Sequence, residues 1–282
     1  MRDDKGWMRS GSSGAGPEPS SLDTSVAYSA RVNNYWQGGK DNFAADRAAA
    51  DGALAAFPGL PAAIRAGQPW RRRVTRFLVV DGGIQQFLDL GTGLPVGETI
   101  HQMAEAARPG CRAVYVDHDP MVVAHARALL PQTGPACGFL EADIRDTGEV
   151  LAGAAQTLDF SRPVAVILSS VLHLIPDSDD PYGIVSRFMD GTPPGSYLVI
   201  AHPSSDIRPE ASAGMAATLN ETVAQKRAYR DHTQVSRFFA GLDLVEPGVV
   251  PLPQWRPDSE DEARAPTMAW AGVGRKAITS RH

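Results

Sequence analysis

The sequence predicts an α/β protein built on a mostly parallel β-sheet, and three observations support this. From Gly83 onward, short apolar segments alternate with helical segments in the strand-then-helix rhythm of parallel sheets with crossover helices. The first apolar segment ends in the glycine turn Gly91-Thr92-Gly93, and the second ends at Asp117, 26 residues after Gly91. A glycine turn and a later strand-end acid at this spacing indicate a nucleotide-type site at one edge of the sheet.

The chain divides into three predicted regions. Residues 1–25 are predicted to be a flexible tail, because residues 10–25 are rich in Gly, Ser and Pro and have no periodic apolar positions. Residues 26–82 are predicted to be a helical lid, with a first helix over 41–57 that Pro58-Gly59 ends. A second helix has the apolar stripe Trp70, Val74, Phe77 and Leu78, and its arginines, Arg71, Arg72, Arg73 and Arg76, are predicted to form a solvated face.

Residues 83–282 are predicted to form the sheet domain. The expected strands cover 86–90, 113–117, 138–142, 164–169 and 196–202, and the expected helices cover 97–108, 120–130, 146–157, 182–189 and 209–230. Two further strands are expected at 242–246 and 267–276, joined by a proline-rich loop over 247–266. That loop leaves no room for a crossover helix, so this last pair is predicted to be antiparallel.

The residues that follow each strand carry the candidate site, because ligands of an open parallel sheet bind at the carboxyl ends of its strands. Asp89 decides between ligand classes: a carboxylate two residues before the first glycine repels a pyrophosphate but suits the ammonium and sulfonium groups of S-adenosylmethionine. Asp117 is predicted to accept hydrogen bonds from two ribose hydroxyls. The candidate cofactor-binding residues at these strand ends are Asp89, Gly91, Thr92, Gly93, Asp117, His118, Asp143, Ile144 and Ser169.

Asp143 is expected to accept from the adenine amino group while the Ile144 amide donates to a ring nitrogen. The alternative is that Asp143 is only a turn carboxylate, with Asp146 capping the next helix.

The run from Ala30 to Arg47, ARVNNYWQGGKDNFAADR, resembles the N-terminal signature of an actinobacterial S-adenosylmethionine-dependent methyltransferase family long catalogued as a domain of unknown function. The glycine turn, the segment 116–120 and the segment 238–257 are also similar to that family. The resemblance implies a class I Rossmann-like fold with seven strands in the order 3-2-1-4-5-7-6, the last antiparallel. The chain departs from the family pattern at Asn33, Asn34, Trp36 and Gln37, where an aspartate and leucines are often found.

The polar Gly38-Gly39-Lys40 run and the residues after it are predicted to close over the cofactor. Lys40 is a candidate to bind the cofactor carboxylate or a substrate anion. The alternative for Asp41 and Asn42 is that they belong to a helix-capping loop, which explains them equally well. Tyr28 and Arg31 lie one helical turn apart and are candidates for the methionine end of the cofactor, with a structural role as the alternative.

His173 and His202 follow the fourth strand and close the fifth, and they are the candidates for a general base. Either histidine could instead only line the pocket. The predicted activity is methyl transfer to a small-molecule acceptor. An NAD(P)-dependent reductase and a non-catalytic S-adenosylmethionine-binding regulator are the alternatives, and the first of these lacks a Tyr-x-x-x-Lys motif.

Composition excludes several other classes. A net charge of −5 argues against a general nucleic-acid binder, and 43% apolar residues indicate a sizeable core. No segment approaches the roughly 18 apolar residues of a membrane span, and the N-terminus does not look like a secretory signal, so no membrane partner and a cytoplasmic location are expected. Cys111 and Cys137 have no metal-ligand spacing, so no metal is expected and both are predicted to be buried free thiols.

Overall fold

The computed structural model describes residues 22–129 and 136–278. Most of the predicted tail, and the end of the helix predicted over 120–130, lie outside these residues. Among the residues described, no helix combines the length and the apolar character needed to cross a bilayer.

A single mixed sheet forms the centre of the fold. Its strands are β1 Gln86–Leu90, β2 Arg112–Asp117, β3 Cys137–Glu141, β4 Ala165–Ser169, β5 Tyr197–Pro203, β6 Asp243–Leu244, β7 Val250–Pro251 and β8 Ala269–Arg275. The order is β3-β2-β1-β4-β5-β8-β6, and β7 also pairs with β8. Strands β1 to β5 are mutually parallel, and β8 is antiparallel to β5, β6 and β7. The predicted fold class and strand order are therefore confirmed, with β7 as an additional short strand.

Eleven α-helices are found in the described part of the chain. They are α1 Ser29–Trp36, α2 Ala44–Ala56, α3 Leu60–Arg65, α4 Gly67–Val80, α5 Ile100–Ala107, α6 Pro120–Leu129, α7 Thr147–Ala154, α8 Pro181–Asp190, α9 Pro209–Thr222, α10 His232–Arg237 and α11 Glu260–Ala263. Two helix predictions differ clearly from the structure because capping and tertiary pairing set the helix ends. Helix α5 begins at Ile100 rather than near Gly97, because Thr99 and Gln102 form a capping box. Helix α9 ends at Thr222 rather than Arg230, because Val223 forms a β-bridge with Ala27.

Two further predictions are corrected. The region expected to hold one helix after Pro58 holds two, α3 and α4. The loop expected over 247–266 contains β7, a 3-10 turn at Leu252–Gln254 and α11. This turn packs onto the sheet through Leu252 and Trp255, which belong to the same core as Trp70 and Phe87.

Apolar cores cover both faces of the sheet. One joins β1, β2, β4 and β5 to α7, α8 and α10, and the other joins the opposite face to α4 and α5. Parallel strands covered on both sides are expected to be continuously apolar, and every residue of β1 is buried. The sheet is thus a rigid platform whose carboxyl edge can hold side chains in fixed positions.

A third core forms a layer over the carboxyl edge of the sheet. It brings together α1, α2, α3 and α9 through residues that include Val32, Ala50, Leu60 and Leu219, and these four helices are called the cap below. Helices α2 and α9 approach closely because glycines face the partner helix: a Cβ at Gly52 would lie 3.0 Å from the Thr218 methyl group. The cap is therefore packed by its own apolar core.

Candidate functional site

A cavity of about 300 Å³ lies between the carboxyl ends of β1 to β5 and the cap. Its floor is formed by the strand ends that the sequence singled out, and its roof includes Ser29, Trp36, Leu60 and Met215 from the cap. Ten predicted site residues line it, namely Asp89, Gly91, Thr92, Gly93, Asp117, His118, Asp143, Ile144, Ser169 and His173. The topology of the sheet thus brings the strand-end candidates into one cavity.

The turn after β1 has a backbone that suits glycine. Gly91 and Gly93 have φ values of +69° and +67°. A Cβ on Gly91 would lie 2.3 Å from a methyl group of Val171, so the turn packs directly against the segment after β4. The amides of Gly91 and Thr92 both donate to the carbonyl of Val116, which fixes the turn against β2.

Asp89 is a buried carboxylate with little compensation from the chain. It accepts one hydrogen bond, from the Thr92 hydroxyl at 3.1 Å, and it forms no ion pair among the described residues. Burial raises its pKa, and the nearby Arg71 guanidinium opposes that change. A cationic ligand group beside Asp89 would offset the cost of its burial, which fits the ammonium and sulfonium of S-adenosylmethionine.

Asp117 is held by backbone amides at the end of β2. Its two carboxylate oxygens accept from the amides of Gly93, His118 and Asp119 at 2.8, 2.8 and 3.0 Å. Burial raises its pKa, and these hydrogen bonds oppose that change. The carboxylate therefore ties the glycine turn to β2 while lining the cavity.

Asp143 is engaged by its own chain. Arg145 donates to both of its oxygens, with Nη2 2.7 Å from Oδ2, and also pairs with Asp179. Burial raises the pKa of Asp143, but the hydrogen bonds from Arg145 outweigh burial and the pKa lies below its usual value. Asp146 stands at the N-cap of α7 without a side-chain capping bond.

The segment after β4 carries local strain and a histidine with an unused nitrogen. Ser170 has a φ of +61°, in the left-handed region that is costly for residues other than glycine. His173 is 8% exposed, and its Nδ1 has no hydrogen-bond partner in the described part of the chain. Burial, with the positive charge of Arg227 second, holds the pKa of His173 well below its usual value. His173 therefore offers a neutral imidazole to the cavity.

His202 does not line the cavity. It is fully buried, its Nδ1 lies 2.8 Å from the carbonyl of Pro203, and its Nε2 lies 3.0 Å from Nη1 of Arg230. Burial lowers its pKa to about 3. The arrangement is that of a neutral imidazole whose Nε2 accepts from Arg230, which leaves no free nitrogen for proton transfer.

Three predicted residues from the N-terminal segment also lie away from the cavity wall. Arg31 is buried, and its Nε lies 3.1 Å from Oδ1 of Asp46. Tyr28 packs its ring against the Arg31 guanidinium, and Lys40 is exposed. These positions favour the structural alternative for Tyr28 and Arg31.

The polar run after α1 is mainly a capping loop. The side-chain oxygen of Asn34 accepts from the Asp41 amide and from the Asn42 side chain, both at 3.0 Å. Asn33, Trp36 and Gln37 line the cavity, so three of the four positions at which the chain departs from the family pattern face it.

The arginine run of α4 is not the solvated face that its spacing predicted. Arg73 is buried, pairs with Glu262 and donates to the carbonyls of Trp255 and Pro253. Arg71 lines the cavity beside Asp89, and Arg72 and Arg76 are exposed. Burial of Arg73 follows from the packing of the segment after β7, which periodicity within α4 could not indicate.

Sequence reasoning also missed Arg227, which lines the cavity from the segment after α9. That segment was predicted to continue the helix, so no site role was assigned to it. Within the described residues, neither Cys111 nor Cys137 forms a disulfide; Cys111 is buried as predicted, whereas Cys137 is only half-buried.

The sheet order, the antiparallel β8 and a cavity bounded by the glycine turn and strand-end acids define a class I methyltransferase. The chain belongs to the S-adenosyl methyltransferase family, whose profile matches residues 15–277. Its reaction is therefore S-adenosylmethionine-dependent methyl transfer, and both alternatives are left without support. A search of curated proteins finds no match.

Solved structures agree with this assignment. A DUF574 family protein from Streptomyces avermitilis MA-4680 is 36% identical with a TM-score of 0.86, covering 90% of this chain and 99% of that one. A proposed methyltransferase from Thermobifida fusca YX is 37% identical with a TM-score of 0.86, covering 94% and 100%. The fold is shared by an O-methyltransferase family protein from Burkholderia thailandensis. That protein is 15% identical with a TM-score of 0.51, and the match covers 74% of this chain and 56% of that one.

Proposed function

We propose that the chain methylates a small molecule bound under the cap, with His173 as the residue that receives the acceptor proton. The observation that carries the proposal is the unpartnered Nδ1 of a buried His173 in a cavity roofed by helices. A buried nitrogen without a partner is costly unless a ligand supplies one.

The residues that line the cavity are assigned to the parts of S-adenosylmethionine. Asp117 is assigned to the ribose hydroxyls, and Asp89 to the cationic methionine end. Ile144 and His118 are assigned to the adenine edge, with Asp143 positioned there by Arg145. Arg71 is assigned to the methionine carboxylate because it lines the cavity beside Asp89 and forms no ion pair with a carboxylate within residues 22–129 and 136–278. This assignment gives no ligand contact to the four candidates that lie away from the cavity wall, namely Tyr28, Arg31, Lys40 and His202.

S-adenosylmethionine supplies an activated methyl group on a sulfonium. The protein's contribution is alignment, exclusion of water and disposal of the acceptor proton. His173 would receive, on the lone pair of Nδ1, the proton that the acceptor atom releases as it takes up the methyl group. His173 can take this role because burial keeps it neutral.

The test separates small from large acceptors. An extract of the native host is divided by ultrafiltration, and S-adenosylhomocysteine release is measured with each fraction. We expect turnover with the low-mass filtrate, and turnover with the macromolecular fraction alone would contradict the proposal. A cytoplasmic location also stays a prediction.

The His173→Asn variant tests the proton acceptor with the same filtrate. We expect kcat to fall by about 10²- to 10⁴-fold, the usual contribution of a general base. Affinity for S-adenosylhomocysteine should stay within about twofold, because this role does not involve the cofactor. An unchanged kcat would remove His173 from the chemistry.

A further inference from the structure

Arg227 is a buried cation that the protein leaves partly unsatisfied. Its side chain is 8% exposed, and Nη2 donates to the Ser29 hydroxyl at 3.2 Å. Nη1 has no hydrogen-bond partner among the residues that the structure describes. In the described part of the chain, no carboxylate forms an ion pair with it.

The chain nevertheless builds this position firmly. The side chain of Asn220, on α9, accepts from the Arg227 amide at 2.7 Å and donates to its carbonyl at 3.2 Å. The next residue, Ala228, donates its amide to the carbonyl of His173 at 2.7 Å. The guanidinium is thus fixed in the cavity wall next to His173, and burial lowers its pKa. An isolated buried charge is expensive, so its retention needs a partner.

The methionine carboxylate of the cofactor does not provide that partner in our assignment. The cofactor has only one such carboxylate, and we assign its binding to Arg71, which lies beside Asp89 and the glycine turn. Arg227 lies on the His173 side, under α1, where Ser29 and Gln225 also line the cavity. Two separate arginines in one cavity therefore indicate two separate anionic groups.

We propose that the methyl acceptor carries a carboxylate and that Arg227 binds it, with the unpartnered Nη1 as a donor. This inference rests on the proposed function, since it describes the acceptor of the same site. One guanidinium beside a neutral imidazole balances one negative charge, which favours a carboxylate over a doubly charged phosphate. A planar carboxylate also matches the guanidinium geometry.

The proposal gives Arg227 a further effect on His173. The positive charge of Arg227 is the second cause that lowers the pKa of His173. A bound carboxylate neutralises that charge, so the imidazole becomes a better proton acceptor only when the acceptor is in place. Binding and proton transfer would then be coupled through one contact.

The experiment uses the full chain saturated with S-adenosylhomocysteine and three matched pairs of probes. These are 4-hydroxybenzoate and 4-hydroxybenzamide, indole-3-acetate and indole-3-acetamide, and hexanoate and hexanamide, titrated by calorimetry or ligand-observed NMR. For at least one pair, we expect the wild type to prefer the acid by about tenfold or more, the scale of one charge-assisted hydrogen bond. In Arg227→Gln this preference should vanish, and in Arg227→Lys it should be partly retained.

Cofactor binding separates this inference from the proposed function. Arg227→Gln should bind S-adenosylhomocysteine within about twofold of the wild type. The inference is overturned if the wild type shows no acid preference in any pair, if Arg227→Gln keeps it, or if that variant chiefly loses S-adenosylhomocysteine affinity. Turnover with macromolecules alone would instead overturn the proposed function. Should Arg227→Gln fail to fold, Arg227→Lys carries the test: its acid preference should be smaller than that of the wild type, and an undiminished preference would overturn the inference.

Discussion

At the scale of single residues, Asp117 has both a ligand role and a loop role. Three backbone amides already hold its carboxylate, so it faces the cavity in a fixed position. We expect Asp117→Ala to weaken S-adenosylhomocysteine binding by about 1.5 to 3 kcal/mol, the range for a charge-assisted hydrogen bond. Calorimetric titration measures this, with Asp159→Ala as the control because Asp159 is exposed and, among the described residues, its carboxylate accepts hydrogen bonds only from Ser161. Unchanged affinity would remove Asp117 from the ribose site.

Arg71 gives a second prediction at this scale. If it binds the methionine carboxylate, Arg71→Gln should lower the affinity for S-adenosylhomocysteine by roughly tenfold or more. Affinity for methylthioadenosine, which has no carboxylate, should stay within about twofold. The neighbouring Arg72→Gln is the matched control because Arg72 is exposed and pairs with Glu98. Equal losses for both ligands would show that Arg71 supports the cavity rather than the carboxylate.

At the scale of elements, a buried ion pair holds the cap together. Asp46, on α2, accepts from the amides of Tyr28 and Phe43 and from Nε of Arg31, and both members of the pair are fully buried. Asp46→Ala leaves Arg31 buried without its counter-charge, so we expect a loss of about 3 to 5 kcal/mol in the free energy of unfolding.

Denaturant unfolding checks this prediction, and limited proteolysis reports whether α1 and α2 are exposed first. The control is Asp51→Ala, which removes a carboxylate from the same helix at an exposed position. Of the described residues, only Tyr35 donates to that carboxylate, through its hydroxyl. A loss as small as that of Asp51→Ala would show that apolar packing alone holds the cap.

The elements also show how far sequence patterns reach. Strands β1 to β5 and the acids behind them were predictable, because a parallel sheet places every strand end at one edge. Arg227 was not, because α9 ends where Val223 pairs with Ala27, nearly 200 residues away in the chain. Likewise, His202 closes β5 as predicted, but only the contact with Arg230 reveals that its Nε2 is occupied. Local periodicity fixes where an element lies, whereas long-range contacts decide which side chains remain free.

At the scale of the whole molecule, the two buried histidines make stability depend on pH. Burial lowers the pKa of His202 from 6.5 to about 3 and that of His173 well below 6.5. Below pH 6.5 the unfolded chain therefore binds protons that the folded chain does not bind. Stability contributed by the neutral imidazoles is present above pH 6.5 and is lost as the pH falls, at up to about 1.4 kcal/mol per pH unit for each histidine.

Asp89 and Asp117 act with the opposite sign, since burial raises their pKa values. The folded protein keeps protons on them that the unfolded chain has lost, so their contribution weakens as the pH rises from about 4. The total slope therefore mixes both effects, and a single-histidine variant is needed to separate them. His202→Asn removes one imidazole without altering either carboxylate directly.

Between pH 6.5 and 4, we expect the free energy of unfolding of the wild type to decline more steeply than that of His202→Asn. The difference in slope should be close to that of one bound proton, about 1.4 kcal/mol per pH unit. Denaturant unfolding at half-unit pH steps measures both curves, and above pH 7.5 they should run parallel because the imidazole is then neutral in both states. Parallel curves at acidic pH would mean that His202 is protonated in the folded protein. That result would require Arg230 to move away from Nε2, because a protonated imidazole cannot accept from a guanidinium.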